Sequence, residues 1–136
     1  MKFYAVIDTN VLVSALLKWD SVPGNVVELA LRGIVKPVVN DLILEEYRAV
    51  LSRKKFHFTE DIIGPVIQRI ESQALFVNAT AETVKLPDPK DQVFYEVVME
   101  GQRAEDAYLV TGNMKHFPVE PFIVTPRQFL DLVFAE

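Results

Sequence analysis

The stretch Phe3-Tyr4-Ala5-Val6-Ile7-Asp8-Thr9-Asn10-Val11-Leu12-Val13 carries the main architectural signal of this chain. A strand with one wet face alternates apolar and polar residues, whereas Phe3 to Ile7 is apolar throughout and mainly strand-forming. That is the pattern of a strand covered on both faces in a parallel sheet. Asp8, Thr9 and Asn10 then turn the chain into a helix that begins near Val11 and carries Leu12, Val13, Ala15, Leu16 and Leu17. A buried strand running straight into a helix opens a β/α unit. It sets Asp8 at the carboxyl edge of the sheet, where sites gather in such folds.

The rest of the chain continues the alternation. Val26 to Leu31 suggests a second helix stopped by Gly33. Val35 to Val39 reads as a short strand, with Pro37 placing it at an edge or weakening it. Asp41 to Leu51 has helical apolar spacing at Leu42, Ile43, Tyr47, Val50 and Leu51. Thr59 to Phe76 repeats it through Ile62, Ile63, Val66, Ile67, Ile70 and Leu75, with Gly64-Pro65 as a break or kink near its start. Asp88 and Pro89 suit the cap and first position of a helix that runs to about Gly101. Tyr108 to Val110 and Phe122 to Val124 are short strands, and Thr125-Pro126-Arg127-Gln128 is a capping box opening a last amphipathic helix through Leu130, Leu132 and Val133. Short strands alternating with helices predict an α/β fold, a short parallel sheet flanked by helices on both faces. Residues 1–136 are read as one domain.

Bulk properties remove several function classes. Half of the residues are hydrophobic and 24% are charged, an ordinary globular balance. The absence of cysteine excludes disulfides, thiolate metal sites and cysteine nucleophiles, and His57 and His116 are too far apart for a local zinc motif. Any metal would be held mainly by oxygen. The apolar run after Met1-Lys2 is too short for a signal peptide, and no run approaches a membrane span, so a soluble, cytoplasmic protein is expected. A net charge of −5 argues against coating nucleic acid by bulk attraction, which leaves local or metal-assisted contacts.

The candidate chemistry lies in acids. Asp8 is either a helix cap or a site residue, and convergence with other acids decides between them. On a helical wheel of about 100° per residue, with Ile43 at zero, Tyr47 falls near about 40°, Val50 near about 340° and Leu42 near about 260°. Glu46 falls near about 300°, between Val50 and Leu42, while Glu45 at about 200° points to water. An inward carboxylate needs a cationic partner or a metal. Asp91 shares a stripe with Phe94, Tyr95 and Val98, although an acid in a first turn also answers the helix dipole. Asp88 has the cap as its competing reading, Asn113 a turn, and Asp106 precedes a strand and so belongs to the opposite edge. Carboxylates gathered without neutralisation repel one another, and magnesium or manganese would relieve this while activating water for phosphodiester hydrolysis.

These residues resemble the PIN-domain family. Val6-Ile7-Asp8-Thr9-Asn10-Val11-Leu12 is similar to its opening motif, and Leu44-Glu45-Glu46-Tyr47-Arg48-Ala49-Val50-Leu51 to its second acidic segment, with Glu46 in the acidic position. Asp88-Pro89-Lys90-Asp91-Gln92-Val93-Phe94 resembles the third segment and Leu109-Val110-Thr111-Gly112-Asn113 the fourth, so the likeness spans Lys2 to about Val124. The resemblance implies a three-layer α/β/α fold and a magnesium- or manganese-dependent ribonuclease, often the toxin of a toxin–antitoxin pair. It implies Asp8, Glu46 and Asp91 as catalytic, metal-holding acids, Asp88 and Asn113 as further ligands, and Asn10 and Thr111 as support. RNA and an antitoxin protein are the implied partners, with a homodimer as an open arrangement. The departure is at the fourth segment: many relatives carry an acid at the position of Asn113, or a few residues later, where this chain has His116.

Two other readings compete. Asn113 offers a neutral oxygen and no charge, which favours a PIN-fold nucleic-acid-binding module with little nuclease activity. A phosphatase of the haloacid-dehalogenase type also places an Asp after its first strand, but its D-x-D motif meets Asp8-Thr9-Asn10 here. Arg48, Arg53, Lys54, Lys55 and His57, close to Phe56 and Phe58, fit either RNA contact or a solvated helix end. Trp19 fits base stacking, a core position or a dimer contact.

Overall fold

The computed structural model describes residues 2–135. Phe3–Ile7 forms β1, and the chain passes at once into α1, Thr9–Leu17. Then follow α2 (Val22–Leu31), β2 (Val35–Val39), α3 (Asp41–Leu51), a 3₁₀ turn at Lys54–Phe56 and α4 (Glu60–Gln73). The remaining elements are β3 (Leu75–Phe76), α5 (Pro89–Glu105), β4 (Tyr108–Val110), a second 3₁₀ turn at Met114–His116, β5 (Ile123–Val124) and α6 (Pro126–Phe134). The five strands pair in parallel in the order β3-β2-β1-β4-β5.

That order explains where the site must be. From β1 the chain moves outward on one side to β2 and β3, then returns to lay β4 and β5 on the other side. Right-handed crossovers therefore place α1 to α4 on one face and α5 on the other, giving three layers. Packing agrees: α5 lies against β1, β2 and β4, while α2 meets α1, α4 and α6. Where strand order reverses, the carboxyl ends of two neighbouring strands leave a crevice. Here it opens beyond Ile7 and Val110, which are register partners in β1 and β4.

Local chemistry accounts for the boundaries. Ser21 caps α2 by accepting the Gly24 N–H at 3.1 Å. The helix ends in a Schellman motif: Gly33 has φ 78, its N–H reaches the Ala30 carbonyl, and the Ile34 N–H reaches that of Leu29. Asn40 caps α3, and the capping box of α6 is complete, with Gln128 N–H on Thr125 Oγ1 and Thr125 N–H on Gln128 Oε1. The core is a continuous cluster in which β1, β2 and β4 supply fully buried Val, Ala and Leu, as doubly covered strands should. Among the described residues no helix is long and apolar enough to cross a membrane.

Several expectations are corrected. Pro37 sits in β2, between β1 and β3 and not at an edge. The Val39 carbonyl accepts the Val77 N–H, so alternation turns the nitrogen of Pro37 toward the same side, where β3 pairs only from Val38 onward. The missing donor thus falls just outside the ladder. Leu75 and Phe76 form that short strand and do not extend α4, which keeps Pro65 inside it without a break. The first two helices begin earlier than expected, at Thr9 and Val22, and α5 runs past Gly101 to Glu105, ending on Asp106 in the left-handed region (φ 55). Leu42 is 56% exposed, so the core-facing arc of α3 is narrower than the wheel implied.

Candidate metal centre

Asp8 is only 6% exposed, at the mouth of the crevice. Its backbone N–H extends the β1–β4 ladder to the Val110 carbonyl, which fixes its main chain. Its side chain caps nothing in α1. Instead Oδ2 accepts Thr111 Oγ1 at 2.7 Å and Asn10 Nδ2 at 3.2 Å. Thr111, itself fully buried, accepts the Asn113 N–H, and Asn10 Oδ1 accepts the Gly112 N–H. The ends of β1 and β4 are thus stitched together through one carboxylate.

A cavity of about 400 Å³ opens over this carboxylate and gathers the other candidates on its walls. Glu46 comes from α3, Asp88 and Asp91 from the start of α5, and Asn10 and Asn113 from the two turns. Glu46 is half-buried at the margin of the core face, because its neighbour Leu42 faces out. Asp88 is exposed and does cap α5, accepting the Lys90 N–H at 2.9 Å, while also lining the cavity. Asn113 has φ −120 and makes no cap bond, so its backbone needs no left-handed turn residue. Glu45 is exposed and stands outside this cavity, and Asp106 lies at the far end of α5.

The acids feel their setting. Burial pushes the Asp8 carboxyl above the ordinary aspartate range, Thr111 and the Thr9 N–H pull it down, and Asp91 pushes it up again. Asp91 is likewise raised, first by burial and then by Asp88, against the lowering pull of His116. The His116 contact is direct, Nδ1 to Asp91 Oδ2 at 3.2 Å. The second 3₁₀ turn makes this pairing, which no local sequence signal announces. Tyr47 is a site element that no acidic motif marks. It is buried on α3, and its hydroxyl donates to the Ile7 carbonyl at 2.5 Å, anchoring the helix that bears Glu46 to the residue before Asp8. A tyrosine on an apolar stripe needs a partner for its hydroxyl, and that was the available signal.

The donor set suits a hard divalent cation. Four carboxylates and two amides line the cavity beside Arg53, Lys90 and His116, and Thr9 Oγ1 is buried beside Asp8 with no hydrogen-bond partner among the described residues, a polar atom that an ion's hydration shell could satisfy. Among the described residues no three His, Asp or Glu side chains stand close enough together to hold a metal ion between them. Magnesium, which keeps several waters and takes one or two carboxylates, does not require three.

A PIN-domain family model matches residues 4–115. The chain belongs to the PIN-domain family. This is a family of nuclease type whose nucleases typically use divalent metals, and the matched PIN domain includes every acid on the cavity wall. The chain is also similar to an uncharacterized protein of Methanocaldococcus jannaschii, MJ1680, at 24% identity over 147 aligned positions, covering 96% of this chain and 92% of that protein.

Proposed function

We propose that this PIN domain hydrolyses RNA phosphodiester bonds with magnesium or manganese, as an endoribonuclease of the kind found as the toxin of a toxin–antitoxin pair. The observation that carries the reading is the buried Asp8 carboxylate, held by Thr111 and Asn10 under a cavity whose walls bear Glu46 and Asp91. Asp8, Glu46 and Asp91 would hold the ion, with Asp88 and Asn113 within the same cavity. When bound, such an ion activates an attacking water and stabilises the leaving oxygen. Thr111 and Asn10 orient Asp8 by converging on one oxygen, Oδ2. Tyr47 fixes the register of α3 against β1.

A second reading, an RNA-binding PIN module with little hydrolysis, is favoured by two observations. Asn113 brings no charge to the cavity, and His116 engages Asp91. Cleavage of a labelled single-stranded RNA with manganese separates the two readings. Asp8→Asn should cost about a hundredfold or more, since even outer partners of a metal are worth roughly 10- to 100-fold. Glu45→Gln should leave the rate unchanged. Equal losses in both, or none in either, would count against the assignment, and a parent protein that cleaves nothing supports the second reading.

A further inference from the structure

The connection from α3 to α4, Arg53-Lys54-Lys55-Phe56-His57-Phe58, is cationic and aromatic. Its 3₁₀ turn and the left-handed His57 (φ 60) fold it back on itself. Phe56 and Phe58 stack, with ring centroids 5.8 Å apart and planes at 18°, and Lys55 Nζ sits 5.1 Å from the Phe56 centroid. Both rings are half-buried and rest against the core, so the segment is anchored. Arg53 and Phe56 also line the cavity that holds Asp8, Glu46 and Asp91.

A solvated helix end would pair its cations with neighbouring acids or turn them away from the crevice. Arg48 does the former, reaching Glu60 at 3.1 Å. Among the described residues Arg53, Lys54 and Lys55 have no ion-pair partner, although Arg53 shares a wall with four carboxylates. Asp91 meets His116, but Arg53 pairs with none of the four acids, which leaves the guanidinium open to an anion. The Phe56 ring lines the same wall as that guanidinium, with Phe58 stacked on it and the exposed Lys55 ammonium over it, a flexible cover that a planar group can displace. Alternating phosphates and stackable bases are the chemistry of a single strand of nucleic acid.

We propose that Arg53, Lys55 and Phe56 form a subsite for a nucleotide flanking the cleaved bond of a single-stranded RNA. Arg53 and Lys55 take phosphate, Phe56 takes a base face, and Phe58 backs the ring. The identity of the neighbouring cavity rests on the hydrolysis reading above, but the test does not require cleavage. Binding of a fluorescent single-stranded oligoribonucleotide is measured without metal in the Asp8→Asn protein, which removes both hydrolysis and part of the acids' repulsion of phosphate.

Adding Arg53→Gln should weaken binding and lower the slope of log affinity against log salt by about 0.7, the single-strand value for one phosphate contact. Arg53→Lys should restore the slope. Adding Phe56→Leu, which keeps apolar packing and loses the π face, should weaken binding about fivefold or more, with the salt slope unchanged. A duplex, whose bases are already stacked, should feel the arginine change and not the phenylalanine one. Single-strand affinity untouched by both substitutions is the result for a bare helix end or a docking segment for another protein, and it overturns the subsite. Equal loss on single strand and duplex from Phe56→Leu overturns the base contact. A protein that binds through these residues but cleaves nothing keeps the subsite and sinks the hydrolysis reading; cleavage and binding indifferent to both residues do the reverse.

Discussion

Thr111 holds the site at a single atom. Its hydroxyl donates to Asp8 Oδ2 at 2.7 Å and accepts the Asn113 N–H at 2.9 Å, and the residue has no exposed surface. Thr111→Val keeps the shape and deletes both bonds. The stranded Asn113 N–H and the less satisfied carboxylate should cost about 1 to 3 kcal/mol of stability. Burial and Asp91 already raise the Asp8 carboxyl, and the Thr111 bond is the largest influence holding it down. Removing that bond lets it rise further. A divalent ion then competes with a proton over a wider range, so manganese binding on the acid side should weaken in Thr111→Val and recover as pH is raised. Thr111→Ser, which keeps the hydroxyl, should bind much as the parent does. A manganese affinity that drops in the valine protein by the same factor at every pH would mean the hydroxyl acts on packing alone.

Between elements, two glycines make opposite predictions from backbone sterics. A Cβ on Gly24 would lie 1.9 Å from the Trp19 carbonyl oxygen, which is main chain and cannot yield without moving the entry into α2. A Cβ on Gly64, inside α4, would meet only the flexible Glu60 carboxylate at 3.2 Å. Gly24→Ala should therefore destabilise by about 2 kcal/mol, and Gly64→Ala should stabilise by roughly 0.5 to 1 kcal/mol. Denaturant melts that move in the same direction for both would refute the contact reading. Elements with a strong period were readable in sequence: the apolar run of β1 and the capping box of α6 stand as expected, and the stripe of α3 does so apart from Leu42. The two-residue β3 was not, because Leu75 continues the apolar spacing of α4 and only pairing with Val38 and Val39 makes it a strand. The candidate acids could be named because each follows a strand or opens or lines a helix. The exposed Leu42, the Asp91–His116 contact and the shared wall with Arg53 and Phe56 depend on how separate elements dock, and no local pattern carries that information.

At the scale of the whole molecule, the acids should make stability respond to pH and metal in opposite ways. Asp8 and Asp91 both hold protons more tightly in the fold than their ordinary value of 3.8. Without metal, the native state binds more protons than the unfolded chain from about that pH up to the raised values, so these groups make stability fall as pH rises through the window. Asp8→Asn cannot ionise. It should therefore gain on the parent as pH is raised through that window in EDTA, and melt higher once the parent's carboxylates are ionised. A bound divalent ion reverses the sign for the parent, because it favours the ionised carboxylates and binds only the fold. At free metal about a hundred times its dissociation constant, that linkage adds about 2.7 kcal/mol. Paired melts of parent and Asp8→Asn at several pH values, with EDTA and with millimolar manganese, read both effects together. With its carboxylates ionised, the parent should trail the variant in EDTA and overtake it in manganese. Asp8 would have to be a structural acceptor for Thr111 and Asn10 and not a metal ligand if the variant were the less stable protein in EDTA at every pH, or if manganese raised both melting temperatures equally.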